Sequence, residues 1–98
     1  MAYISGRIEF IDGSLLDFKE FVEKTEKGME KYKYGYNYRK ESVLIFRYDN
    51  ASDPGAKGLA SYPHHKHTRT GDMKASFSVS LPDVLEEIEK QLAEDWGL

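Results

Sequence analysis

Tyr32, Tyr34, Tyr36 and Tyr38 stand at every second position of the stretch YKYGYNYR. A period of two is that of a β-strand, whose alternate side chains point to opposite faces; at helical spacing the four rings would scatter around the axis. The stretch is therefore predicted to be a strand with the rings on one face and Lys31, Lys33, Asn37 and Arg39 on the other. Such a row reads in two ways. It is the inner face of a sheet whose hydroxyls reach the rim, or it is an open platform on which bases stack, with basic side chains close by for phosphates.

The remaining elements follow from the same patterning. Ile4, Ile8 and Phe10 alternate ahead of Asp12-Gly13, a strong hairpin signal, so a first strand and a turn are expected there. Leu16, Phe18 and Val22 continue as a second strand, and the charged run from Glu23 to Lys31 reads as a solvated connection. After a turn at Lys40-Glu41-Ser42, the stretch SVLIFRYD is apolar on both faces and should be a central strand, with Arg47 and Asp49 projecting from one side at its end. Residues 50–58 carry every turn signal, and 74–79 read as a short last strand. Ser80 as N-cap with Asp83 three positions on opens a helix with Pro82 in its first turn. Val84, Leu85, Ile88 and Leu92 line its apolar face, Glu86, Glu87, Glu89 and Lys90 face water, and Trp96-Gly97-Leu98 closes the chain. The expected fold is a single α+β domain over residues 1–98: a mainly antiparallel sheet of four to five strands with the C-terminal helix packed on one face.

At 98 residues the chain closes one core, and the absence of cysteine rules out a disulfide framework, a thiolate metal site and a thiol nucleophile. No stretch has the apolar run of a signal peptide or a membrane span, so a cytoplasmic protein with no membrane partner is expected. The net charge of −3 argues against a general nucleic-acid coat, but it hides a segregation. Residues 24–74 hold eleven Lys/Arg against six Asp/Glu, and the two ends are acidic. A basic middle gathered on one face could meet RNA locally; the alternative is that the opposite charges pair across the surface.

All three histidines fall in Pro63-His64-His65-Lys66-His67. Histidine is both the side chain that trades a proton near neutral pH and the commonest metal ligand. A metal site would need a carboxylate from Asp49, Asp53 or Asp72, and in an extended segment only His65 and His67 share a face, which gives two imidazoles rather than three. Acid–base chemistry asks for less. RNA cleavage by its own 2′-hydroxyl needs a proton acceptor, a proton donor and cations for the developing phosphorane charge; histidines with Arg47, Lys66, Arg69 and Tyr48 contain those parts and call for no metal or other cofactor. A proline-stiffened basic loop without a ligand is the third reading.

The stretches LIFRYDNA, YPHHKH and LPDVLEEIEKQL resemble the family of TumE-like toxins, small proteins associated with toxin–antitoxin pairs. IEFIDGSLL and YKYGYNYRKESVLIFRYDN extend the likeness over nearly the whole chain. The resemblance carries over Arg47, Tyr48, Asp49 and Asn50 from one block and Pro63, His64, His65, Lys66 and His67 from the other. It implies a toxin whose partner is a small DNA-binding antitoxin; joined to the acid–base reading of the histidines, the expected activity is that of a metal-independent endoribonuclease acting on RNA, free or at the ribosome. In the role assignment, Arg47 and Lys66 hold the scissile phosphate, one of His64, His65 and His67 moves a proton, and Asp49 orients a histidine. Tyr48, Asn50 and Arg69 complete the substrate-binding set. Where the family places Pro-His-His directly after Asn-Ala, this chain has Ser52-Asp53-Pro54-Gly55, so either the second block alone is the working site or the chain is an inactive relative. A non-catalytic module that binds a partner through the tyrosine row or the histidine block is the reading from another class. An exposed edge strand would also allow a homodimer.

Overall fold

The computed structural model of the chain describes residues 1–95. Six strands follow one another as a fully antiparallel meander in the order β1-β2-β3-β4-β5-β6, and one helix covers one face. The strands are β1 Ala2–Glu9, β2 Leu15–Thr25, β3 Gly28–Lys40, β4 Val43–Asp49, β5 His65–Thr68 and β6 Met73–Ala75, followed by α1 Leu81–Asp95. The α+β architecture agrees with the sequence reading. The strand count is six rather than four to five: the added strand is β5, and β6 is only three residues long.

Local chemistry accounts for the hairpins. Gly13 takes φ +84°, the left-handed conformation that the tight turn after β1 needs and that an L side chain resists. Asp12 accepts from the backbone N–H and the hydroxyl of Ser14, which fixes the same corner. The charged segment expected to be a connection is instead the far end of the longest hairpin: β2 runs to Thr25, β3 starts at Gly28, and only Glu26 and Lys27 lie between them. Its charged side chains alternate on a ladder that extends beyond the core, so no apolar pattern marks it.

The tyrosine row is the inner face of the sheet. Tyr34, Tyr36 and Tyr38 are buried with Leu16, Phe46, Val84 and Ile88 in one core beneath α1. Their hydroxyls find partners at the rim: Tyr38 donates to Ser14 Oγ at 2.8 Å, Tyr36 donates to Glu20, and Tyr34 meets His64 Nδ1 at 2.8 Å. Burial pushes the phenol pKa of all three upward. These rings are therefore not an exposed stacking platform.

A bulge breaks the row at its start. Phe21 pairs with Lys33 but Val22 pairs with Lys31, so Tyr32 is the extra residue and every side chain before it changes face. Lys31 thus lies on the tyrosine side, against expectation, with Nζ 2.8 Å from Tyr36 Oη and bonded to the Val79 carbonyl. Burial lowers its pKa, while Glu20 opposes that shift.

The capping box forms as read: Asp83 accepts from Ser80 N at 2.9 Å, and Ser80 Oγ accepts from Asp83 N at 3.3 Å. Val84 and Ile88 enter the core, with Leu85 and Leu92 packed against it. Glu87 does not face water alone; it reaches the sheet, as described below. The closing Trp96-Gly97-Leu98 lies outside the described residues. No helix among the described residues is long and apolar enough to cross a membrane.

Candidate functional site

The helix-free face of the sheet carries the other alternation. Across β2, β3, β4 and β5 the register aligns Asp17, Asn37, Arg47 and His67 in one row, and Lys19, Gly35, Asp49 and His65 in the next. Residues directly opposite in an antiparallel pair project to the same side, so β4 and β5 set Arg47 and Asp49 beside His67 and His65. The histidine block, expected on a loop, is mostly strand; pairing with β4 fixes which ring faces which way.

The four side chains form one bonded cluster. Arg47 Nε donates to Asp49 Oδ2 at 2.8 Å, and the backbone N–H of Ala51 donates to Oδ1 at 3.0 Å. His65 Nε2 lies 3.1 Å from Asp49 Oδ1, His67 Nε2 lies 3.4 Å from Oδ2, and the two Nε2 atoms are 3.1 Å apart. The other nitrogen of His65, Nδ1, is 2.7 Å from the Pro63 carbonyl, which can only accept, so Nδ1 carries a proton. Asp49 and His65 are buried, whereas the His67 side chain is 23 % exposed and the Arg47 side chain 34 %. The cluster therefore has a closed floor and an open rim.

Gly35 makes room for it. A Cβ at that position would stand 3.2 Å from Arg47 Nη2, so the missing side chain is what lets the guanidinium lie across β3. Beside it an open concavity of about 690 Å³ runs toward β1, lined among others by Arg7, Asp17, Lys19, Asn37 and Arg47. None of these except Arg47 is singled out by sequence reasoning. Their one signal is that they fill the outward positions of strands whose inward positions are apolar.

The remaining residues of the sequence assignment lie elsewhere. Tyr48 and Lys66 pair across β4 and β5 but point to the helix side. There Tyr48 donates to Glu87 Oε1 at 2.5 Å and Lys66 Nζ bonds Glu87 Oε2 at 2.9 Å, above the rings of Phe46 and Tyr48. Burial opposes the charge of Lys66, but its bonds to Glu87 and Tyr48 outweigh that and raise its pKa; burial and Glu87 raise that of Tyr48. His64 stacks on Tyr34 with ring centroids 5.8 Å apart, away from the cluster. The Asn50 side chain is spent on the backbone of β3, accepting from Tyr34 N and donating to Tyr32 O, both at 3.0 Å. Arg69 follows β5 and lines a separate hollow with Lys40, Val43 and Gln91. In the segment where the family pattern departs, Asp53 caps a single 3-10 turn at Pro54–Ala56.

A six-stranded meander under one helix, with a guanidinium, a carboxylate and two imidazoles gathered on the face away from the helix, defines a small sheet protein with a half-buried polar site. The family model described as Toxin TumE matches residues 1–92, and the chain belongs to that family. No curated protein and no solved structure matches it.

Proposed function

We propose that the chain is the toxin of a two-gene toxin–antitoxin pair and that it cleaves RNA by acid–base chemistry at Arg47, Asp49, His65 and His67. The observation that carries this reading is the bonded cluster on the helix-free face, next to a groove that holds Arg7, Lys19 and Arg47. An RNA strand in that groove meets Lys19 and the guanidinium groups of Arg7 and Arg47, paired there with Asp17 and Asp49, on a sheet face free of the helix, which suits backbone binding without base readout.

Proton transfer falls to His67, the imidazole of the cluster that reaches solvent. It takes the proton of a ribose 2′-hydroxyl; the 2′-oxygen bonds to phosphorus as the bond to the 5′-oxygen breaks. The imidazolium then returns the proton to that leaving oxygen. Arg47 neutralises the non-bridging oxygens as charge builds. His65 and Asp49 are positioning residues, since their burial keeps them from RNA and their contacts fix the ring of His67. The products are a 2′,3′-cyclic phosphate and a 5′-hydroxyl. Lys66 and Tyr48, held by Glu87 on the opposite face, take no part.

The experiment is tightly controlled expression of the intact chain and of His67→Ala, with growth recorded and total RNA sequenced for new 5′ ends. Growth arrest with fresh RNA ends from the intact chain alone supports the reading. Arrest with unchanged RNA, or equal arrest from both, overturns the assignment. Relief of the arrest by the product of a short adjacent gene for a DNA-binding protein would support the pairing.

A further inference from the structure

The same cluster carries a second chemistry. His65 Nδ1 donates a hydrogen bond to the Pro63 carbonyl, which turns Nε2 into the cluster. Nε2 lies 3.1 Å from Asp49 Oδ1 and 3.1 Å from His67 Nε2. Two imidazole nitrogens and a carboxylate gathered this closely are held together by a shared hydrogen or by a metal ion.

The dimensions fit a metal ion. Metal–ligand bonds of about 2.0–2.2 Å place neighbouring ligand atoms about 3.4 Å apart at tetrahedral angles and about 2.9 Å apart at right angles. The two Nε2 atoms are 3.1 Å apart and each meets its own Asp49 oxygen, that of His65 meeting Oδ1 at 3.1 Å and that of His67 meeting Oδ2 at 3.4 Å, so three ligand atoms lie within 4.8 Å of one another and a small turn of the carboxylate completes the set. Each buried ligand already has the outer support that metal sites need to orient their first shell. Pro63 O fixes the His65 ring, and Ala51 N and Arg47 Nε hold the two Asp49 oxygens. Among the described residues Asp49, His65 and His67 are the group of three whose ligand atoms converge. The His67 side chain is 23 % exposed, which sets the third ligand at the solvent boundary.

We infer that Asp49, His65 and His67 bind one divalent transition-metal ion of the zinc or cobalt class through a carboxylate oxygen and the two Nε2 atoms. Two neutral nitrogens and one carboxylate suit these borderline ions better than magnesium or calcium, which favour all-oxygen shells. The Arg47 guanidinium, bonded to the same carboxylate, repels the incoming charge and holds the affinity below that of a closed structural site. A neutral His67 coordinated through Nε2 carries its proton on Nδ1 and has no lone pair left, so the loaded protein cannot perform the proton transfer. That last consequence rests on the ribonuclease reading; the binding itself does not.

The test uses the full chain without a histidine tag, stripped with a chelator and titrated with cobalt(II) while visible d–d absorption is read. Bands that saturate at one equivalent and bleach on addition of zinc are expected. His67→Gln, at the exposed rim where folding is least disturbed, should weaken cobalt binding by roughly tenfold to a hundredfold or more. His64→Ala, outside the cluster, should keep it. Circular dichroism of each variant confirms the fold. Absence of saturable bands in the folded wild type overturns the metal site and leaves the ribonuclease reading standing. Bands unchanged in His67→Gln overturn the ligand assignment. A folded protein that binds cobalt but leaves RNA intact in both states sinks the ribonuclease reading and leaves the metal site.

Discussion

Lys66 and Arg47 are both basic and both belong to the family-like blocks, but the sheet sends them to opposite faces, and substitution separates their roles. Lys66→Met keeps the aliphatic stem and removes the charge. The ion pair to Glu87 spans 2.9 Å with side chains 24 % and 35 % exposed, so solvent screens it to about 0.5–1 kcal/mol. The ammonium lies 5.1 and 5.0 Å from the ring centroids of Phe46 and Tyr48, worth about another 0.5–1 kcal/mol. Lys66→Met should therefore cost about 1–2 kcal/mol, and a domain of this size loses about 4–8 °C of Tm per kcal/mol. Arg47→Met removes a charged hydrogen bond to buried Asp49 and should cost about 1–3 kcal/mol. The stability losses are alike, yet cleavage should part them. Removing a charge aimed at the transition state lowers the rate about 10²–10³-fold, whereas the Lys66 variant should cut RNA at the wild-type rate per folded molecule. Thermal melts followed by cleavage assays at a temperature where both variants are folded make the comparison. A tenfold or larger loss in Lys66→Met, or an unchanged rate in Arg47→Met, would refute the placement of the chemistry on the helix-free face.

Three further outcomes follow from the fold. In Gly6→Ala, the added Cβ would stand 2.8 Å from the Phe18 ring, so a denaturant titration should show a loss of about 1–3 kcal/mol despite the exposure of β1. Tyr38→Phe removes the buried bond to Ser14 Oγ and should cost about 1–2 kcal/mol by the same measurement, with circular dichroism unchanged. The Asp12 carboxyl is held below its ordinary 3.8 chiefly by the Ser14 hydroxyl, so its contribution is complete above that value and fades as pH falls through the lower folded value; in Asp12→Asn the acid limb of stability against pH should be shallower.

The sequence exposes those parts of the fold in which side-chain type and period agree. Alternating tyrosines make β3 legible, Asp12-Gly13 the first turn, and Ser80 with Asp83 the start of α1. β5 is hidden because His65-Lys66-His67-Thr68 has no apolar alternation; its inward residues are Thr68 and Lys66, and Lys66 packs its stem on aromatic rings and its charge on Glu87. Lys31 is misplaced by a bulge that no composition signals. For the site, Arg47 and Asp49 share a face by their spacing alone, and so do His65 and His67. That the two pairs meet depends on the register between β4 and β5, which is set after a long excursion through residues 50–64 and has no local code. The separation of Tyr48, His64 and Lys66 from that pair of pairs is likewise a matter of strand face.

The most direct test of the account adds the purified chain, or its folded His67→Ala variant, to a cell-free translation reaction and determines the termini of the messenger RNA. Cleavage that leaves 2′,3′-cyclic phosphate and 5′-hydroxyl ends with the intact chain and none with the variant is the predicted result. Intact message, 5′-phosphate ends, or the same cleavage by both proteins would contradict it.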